Sequence, residues 1–319
     1  MKQQDFERQY TSFWDTFNAT LEAKARDADL RTLPDDYQKI SHHLALAKQR
    51  RYSTSLIQKL NNLVVLGHKR FYGDLPRSRA QFLYYIFIGF PEAIQRNKIF
   101  ILTGLAVFFL PGLLFFFLCW FNEDLIYSLM SFEQVRAFES MYEPSAETFG
   151  RERESDTDLM MFCFYIYNNI GISFQTFATG IFYCVGSLFF LIYNGIYLGA
   201  AAGHIMKVGY TDTFFPFVIG HGAFELTAIA LCGGAGLKLG WALIAPGNYT
   251  RFSALKIAAK DAVIIIYGST VMLIIAAFLE AFWSSSSNLP NVIKYSVGAL
   301  FWFLVYYYLL FAGRRYYAT

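Results

Sequence analysis

The chain has 319 residues, of which 55% are hydrophobic, 19% aromatic and only 16% charged, with a formal net charge of +3. Soluble domains average about 25% charged residues, so this composition excludes an ordinary soluble protein and points to a membrane protein. The four cysteines (Cys119, Cys163, Cys184, Cys232) lie in apolar segments without CxxC spacing, which argues against a thiolate zinc site and a disulfide framework.

Residues 1–98 carry sixteen Lys/Arg against ten Asp/Glu and contain no long apolar run. Phe6, Tyr10, Phe13 and Phe17 recur at steps of three and four, as do Leu56, Leu60, Leu63, Gly67 and Phe71. That is the period of amphipathic helices. Pro34 marks a turn before a third helix, with Asp35 and Asp36 suited to its first turn, where the helix dipole favours acidic groups. Residues 1–95 therefore read as a small helical domain. The first seventeen residues have no apolar core, so no cleavable signal peptide is expected.

Residues 99–121 are apolar without a break, long enough to cross a hydrocarbon core of about 30 Å. Pro111–Gly112 in the middle of this run suggests a kink. Residues 122–158 then hold ten acidic and three basic side chains. The positive-inside rule puts the N-terminal domain in the cytoplasm and this acidic loop outside. Phe132, Val135, Phe138 and Met141–Tyr142 have helical spacing, so part of the loop is expected to lie as an amphipathic helix on the outer membrane surface.

Arg251, Lys256 and Lys260 mark an internal loop, so an odd number of crossings must connect 158 to about 250. Three fit, at 160–184, 186–206 and 214–236; one crossing plus re-entrant half-helices also satisfies the charge rule. Residues 261–283 then lead out and 292–313 return, ending at Arg314–Arg315. The expected fold is all-α: a polytopic transmembrane bundle of about six helices, with five to seven allowed. It occupies residues 96–315, and both termini are cytoplasmic.

The middle of the chain differs from its flanks. Residues 159–236 contain just three charged side chains, Lys207, Asp212 and Glu225. Gly195, Gly199 and Gly203 fall at four-residue intervals on one helix face, and Gly236 and Gly240 repeat the pattern, with Gly222 between. Such stripes let another backbone approach closely in a bilayer, either across a homodimer seam or inside one subunit. The polar residues here are Asn168, Asn169, Gln175, Asn194, His204, His221 and Glu225. On a helix His221 and Glu225 are i and i+4, on one face.

An ionised carboxylate in a membrane core is costly and normally faces a bundle interior or a water cavity. Three readings stay open: a satisfied network of His221, Glu225 and Asn194, a polar translocation path, or an enzyme centre. A zinc site would need a third ligand, and His204 is the candidate in this region. No serine–histidine–acid set and no paired-aspartate element on facing helices is identified, so neither enzymatic activity nor a cofactor or metal is expected.

The run "YNNIGISFQTFATGIFYCVGSLFFLIYNGIYLGAAAGHI", followed by "FFPFVIGHGAFELTAIALCGGAGLKLG", resembles the stage II sporulation protein M family of bacterial membrane proteins. The resemblance rests on Asn168–Asn169, Gly180, Gly186, Asn194–Gly195, Gly199 and the His221–Gly222…Glu225 element. Family members usually have proline directly before the histidine, where this chain has Gly220, and often a second proline where it has Thr227. Residues 30–73 resemble the cytosolic extension of non-sporulating members.

The resemblance implies a bacterial inner-membrane location and an envelope role. It also implies a MoxR-type ATPase and a protein with a von Willebrand-like domain as partners; the lipid bilayer and, from the glycine stripes, a homodimer are expected beside them, and no nucleic acid. The leading expectation is a membrane scaffold of an envelope-associated complex. The alternative is a transporter or lipid scramblase using a polar pathway around His221 and Glu225.

Overall fold

The computed structural model describes residues 2–22, 33–72, 79–145, 149–150 and 157–312. No strand occurs among them. They form two compact units, residues 1–82 and 83–319.

The first unit contains helices α1 (Gln3–Glu22), α2 (Leu33–Gln49) and α3 (Thr54–Tyr72). Phe6, Trp14 and Phe17 from α1, Ile40, Leu44 and Ala47 from α2, and Leu56, Leu60 and Leu63 from α3 form its core. Phe6, Phe17, Leu56, Leu60 and Leu63 are residues that the periodicity selects; Trp14 and the α2 residues are not, and Tyr10 and Phe13 are only partly buried. Trp14 Nε1–H donates to His43 Nδ1 at 3.1 Å, which satisfies the indole where it is buried. Gly67 faces the Phe17 and Tyr37 rings, and a Cβ there would come within 2.9 Å of Phe17. The side chain of Phe71 lies outside the described residues.

The second unit starts inside α4 (Arg79–Tyr84), continues through a π-helical turn, Tyr85–Gly89, to α5 (Phe90–Arg96), and enters the long helices. Five of these are long and apolar enough to cross a membrane: α6 (Lys98–Phe121), α9 (Val185–Val208), α10 (Thr211–Ile244), α11 (Arg251–Leu279, extended to Ser284 by a π turn) and α12 (Asn291–Phe311). Helix α8 (Asp158–Ala178) is more polar but accompanies them over about 31 Å. Its start packs Met161 and Tyr165 on Ala277 and Ala281 of α11. The turn after its end sets Gly180 against Gly236 of α10. Residues 158–244 thus form three helices of 21, 24 and 34 residues.

Two boundaries differ from the sequence reading. Helix α10 runs to Ile244 rather than 236, because Gly236 and Gly240 are used for packing and do not end it. The basic stretch from Arg251 to Lys260 is the first part of α11 and not a loop. Pro111 sits inside α6, which is continuous from Lys98 to Phe121. Arg314 and Arg315 lie outside the described residues, as do 146–148 and 151–156 of the acidic loop.

The glycine stripe is consumed within the chain. A Cβ on Gly195, Gly199 or Gly203 would collide with the carbonyl oxygens of Phe108, Gly112 and Phe116 on α6. Gly236 meets Ser187 and Phe177, and Gly240 meets the Gly180–Cys184 turn. Close backbone approach of this kind supplies the van der Waals contact that holds helices together in lipid. Gly222 is different: its nearest neighbours are Val218 and Leu226 of its own helix, at ordinary contact distance. A homodimer seam was one of the two roles open for these glycines. The intramolecular role is the one they fill.

The two ends of the bundle are chemically distinct. At one end Asp261 accepts from Arg96 at 2.6 Å, Lys238 at 2.6 Å and Asn97 at 3.2 Å. At the other, α7 (Phe132–Ser140) opens with a capping box between Ser131 and Gln134. Ile126, Met130 and Val135 are buried against Cys119, Ala200 and Ala201, so this segment packs on the bundle.

Candidate functional site: a carboxylate and histidine cavity in the helix bundle

Helix α10 begins at Thr211, ten residues ahead of His221. Pro216 lies inside this helix without ending it, so His221 and Glu225 stand on one uninterrupted helix, one turn apart. The third group comes from elsewhere. Glu280 opens the π turn Glu280–Ser284 at the end of α11; π turns widen a helix locally and are frequent at functional sites. One ring nitrogen of His221 and one carboxylate oxygen each of Glu225 and Glu280 lie within 4.8 Å of one another. Glu280 was missed in the sequence, yet it is the one charged side chain between Ala262 and Ile293. The reasoning that singled out Glu225 applies to it equally.

His221 is buried, with Nδ1 sharing a 3.1 Å hydrogen bond with Ser284 Oγ. Its ring meets Phe217 edge-on, with centroids 5.0 Å apart. Oε2 of Glu225 and Oε2 of Glu280 are both buried and have no hydrogen-bond partner. Leaving a buried polar atom unpartnered costs about 1–3 kcal/mol, more when the group is charged. Two such atoms at one spot are a feature that packing alone does not favour.

These side chains line a cavity of about 210 Å³ together with Asn168 and Asn169 of α8, Asn194 of α9 and Tyr142. Asn168 donates to Asn169 Oδ1 at 3.0 Å. Tyr142 closes the α7 side; its carbonyl accepts from Thr213 at 2.5 Å, and its ring packs on Phe214 and Phe217. Burial first, then the carboxylates of Glu280 and Glu225, push the Tyr142 phenol well above its ordinary range, so it stays neutral.

Three expectations are corrected. Asn194 does not bond Glu225; it donates to Phe190 O of its own helix at 2.7 Å, so the anticipated His221–Glu225–Asn194 network does not form. His204 is not the third member of the cluster. It lies beside Glu139 of α7, with Nε2 2.7 Å from Oε1, and Glu280 takes the third place instead. Finally, the structure sets Ser284 beside His221 and Glu280 beside Glu225, two neighbours that lie 63 and 55 positions away in sequence and that the sequence reading did not find. Ser284, however, bonds the histidine from behind and is not among the cavity-lining side chains, which makes it a positioning group.

The stage II sporulation protein M family model matches residues 105–285, more than half of the chain. The chain belongs to the stage II sporulation protein M family. With its apolar helices, this makes it an integral membrane protein. The matched segment contains the whole cluster: His221, Glu225 and Glu280. Residues 4–73 match a second model, a domain of unknown function (DUF8413), which covers the three-helix unit. No curated protein and no solved structure matches the chain.

Chemically, two carboxylates and an imidazole at this spacing can share a proton or hold a cation. The volume is about that of seven bulk waters at roughly 30 Å³ each, which suits a small ion and is far below the volume of a phospholipid.

Proposed function

We propose that this family member is an ion-handling membrane protein that takes small cations, protons included, into the cavity bounded by His221, Glu225 and Glu280. The observation that carries the reading is that Glu225 and Glu280, each with a buried, unpartnered carboxylate oxygen, line one cavity. Ionisable side chains at such depth normally mark ion or proton pathways, and an inert scaffold has no need of them. The cavity's size favours small ions over the lipid-scrambling alternative. By the positive-inside rule the basic end and residues 1–82 face the cytoplasm of a bacterial inner membrane. There the three-helix unit would meet a cytosolic partner such as a MoxR-type ATPase.

A second reading, the membrane scaffold of an envelope-associated complex, is favoured by one observation. The segment 122–145 is folded and anchored on the bundle, so it offers external partners a fixed platform. Neither reading requires catalysis, and we propose none.

Purified protein in liposomes loaded with pH-sensitive and cation-sensitive dyes separates the two. Flux from wild type that vanishes in well-folded Glu225→Gln and Glu280→Gln supports ion handling. A folded wild type that passes neither protons nor cations would sink it and leave the scaffold.

A further inference from the structure

We infer that His221, Glu225 and Glu280 form a binding site for a single divalent transition-metal ion, with Zn²⁺ as the best match. The inference rests on the ion-handling reading of the cavity and names the ion class it takes.

The donor set comes first. One imidazole nitrogen and two carboxylate oxygens converge within 4.8 Å. Around a centre with bonds of about 2.0–2.2 Å, tetrahedral donors stand roughly 3.5 Å apart. Side-chain movements of about 1 Å would therefore close the set. Oxygen-only sites suit Ca²⁺ and Mg²⁺, whereas a histidine in the set selects for Zn²⁺ and its first-row neighbours. Three protein ligands beside a cavity also leave a coordination position for water or an incoming group, as in open zinc sites.

The second observation is independent of the spacing. Glu225 Oε2 and Glu280 Oε2 are buried without any hydrogen-bond partner. The basic side chain anchored at the same π turn, Lys294, directs Nζ to the Ser284 and Ser286 carbonyls at 2.8 and 2.6 Å. Two carboxylates with a neutral imidazole are balanced by one divalent cation to zero net charge, the arrangement that costs least where the dielectric is low. The third observation is orientation. Ser284 Oγ holds His221 Nδ1 at 3.1 Å, which leaves Nε2 for a metal. Metal-ligating histidines almost always have their other nitrogen fixed in this way.

The test uses the full chain in detergent, stripped with a chelator and dialysed, then titrated with Co²⁺ as an optical probe and competed with Zn²⁺. We expect one ion per chain, a visible ligand-field band, and displacement of Co²⁺ by Zn²⁺. Affinity should fall at least tenfold in Glu225→Gln, Glu280→Gln and His221→Gln, and be retained in His204→Gln. Should a charge-neutralising variant fail to fold, Glu280→Asp keeps the charge but shortens the reach, and the same tenfold loss is expected. Folded wild type that takes up no ion, or binding equal in wild type and the three ligand variants, would overturn the inference. Flux without metal binding would overturn it too while leaving proton handling intact. Binding without flux would uphold the site and sink the transport reading.

Discussion

Glu225 on α10 and Glu280 on the π turn that ends α11 direct carboxylates into one cavity, each with a buried Oε2 that nothing in the protein satisfies. Fifty-five residues separate them in sequence. With no bound cation, these carboxylates cost stability. Glu225→Gln is expected to leave the melting temperature of chelator-treated protein unchanged or higher, by up to about 2 kcal/mol in stability, while abolishing flux. A large drop in melting temperature would mean that the carboxylate holds the fold together, as the satisfied-network reading required.

The glycines of α9 give a contrast in packing. Gly199→Ala puts a methyl group into the Gly112 carbonyl of α6, so two backbones must separate. We expect a loss of about 1–3 kcal/mol, typical of overpacking, read as lower folded yield and melting temperature. Gly171 on α8 has nothing within 4 Å of the same position. Gly171→Ala should therefore be neutral or stabilising by up to about 1 kcal/mol. Equal effects at the two sites would show that the α6–α9 contact is looser than its geometry.

His43 couples the first unit to pH. Burial, then the neighbouring His42, lowers its pKa below the usual 6.5, and its neutral ring accepts the Trp14 indole proton. The unfolded chain therefore binds a proton at a pH where the folded one does not, so stability rises with pH through this window. It is fully present above about 6.5 and lost as pH falls towards the folded value. Hydrogen-exchange protection factors of residues 3–22 and 33–49, taken relative to the intrinsic rate at each pH, should fall between pH 7 and pH 5, and His43→Gln should flatten that dependence. An unchanged profile in His43→Gln would assign the effect to another group.

What the sequence made legible follows the range of the interactions. Helix periods and apolar runs are local, and α1, α3, α6 and α12 lie within a few residues of the segments that periodicity and hydropathy mark. The i, i+4 pairing of His221 and Glu225 is also local. The partners of the pair are not, because Glu280 and Ser284 reach it by tertiary packing through a π turn, and a 3.6-residue period does not register such a turn. His204 illustrates the converse. It was grouped with the cluster for its polarity, yet it serves a separate contact with Glu139. Helix α8 was expected to be a crossing but carries too many polar residues to qualify by hydropathy. Its place comes from Met161, Tyr165 and Gly180 packing on α10 and α11.

At the basic end, Asp261 gathers Arg96, Lys238 and Asn97, tying the start of α6 to α10 and α11. Lys238 is only 15% exposed, and Asp261 is the carboxylate it pairs with. Asp261→Asn should cost about 2 kcal/mol, in the range for partly buried charged hydrogen bonds. Little of this should be recovered in high salt, which screens exposed pairs far more. Thermal unfolding at low and high ionic strength would check this, and a shift within a few tenths of a kcal/mol would place the pair among ordinary surface contacts.

Lys294 fixes the turn on which Glu280 depends. Its side chain is buried, with Nζ on the carbonyls of Ser284 and Ser286 and 5.8 Å from the centre of the Phe149 ring. The Ser284 carbonyl ends the π turn that starts at Glu280 and the Ser286 carbonyl lies two residues past it, so no continuing helix satisfies them. Lys294→Met keeps most of the apolar stem but strands both acceptors, at roughly 2–4 kcal/mol for two buried groups. The expected signature is local first: faster hydrogen exchange across 280–286, then a lower melting temperature. Because the same turn aims Glu280 and positions Ser284 behind His221, Co²⁺ affinity should weaken as well, although Lys294 is no ligand. Lys294→Arg retains the donors and should recover much of both effects. If Lys294→Met changes neither exchange nor Co²⁺ affinity, the turn is held by the helix packing alone and Glu280 needs no such support.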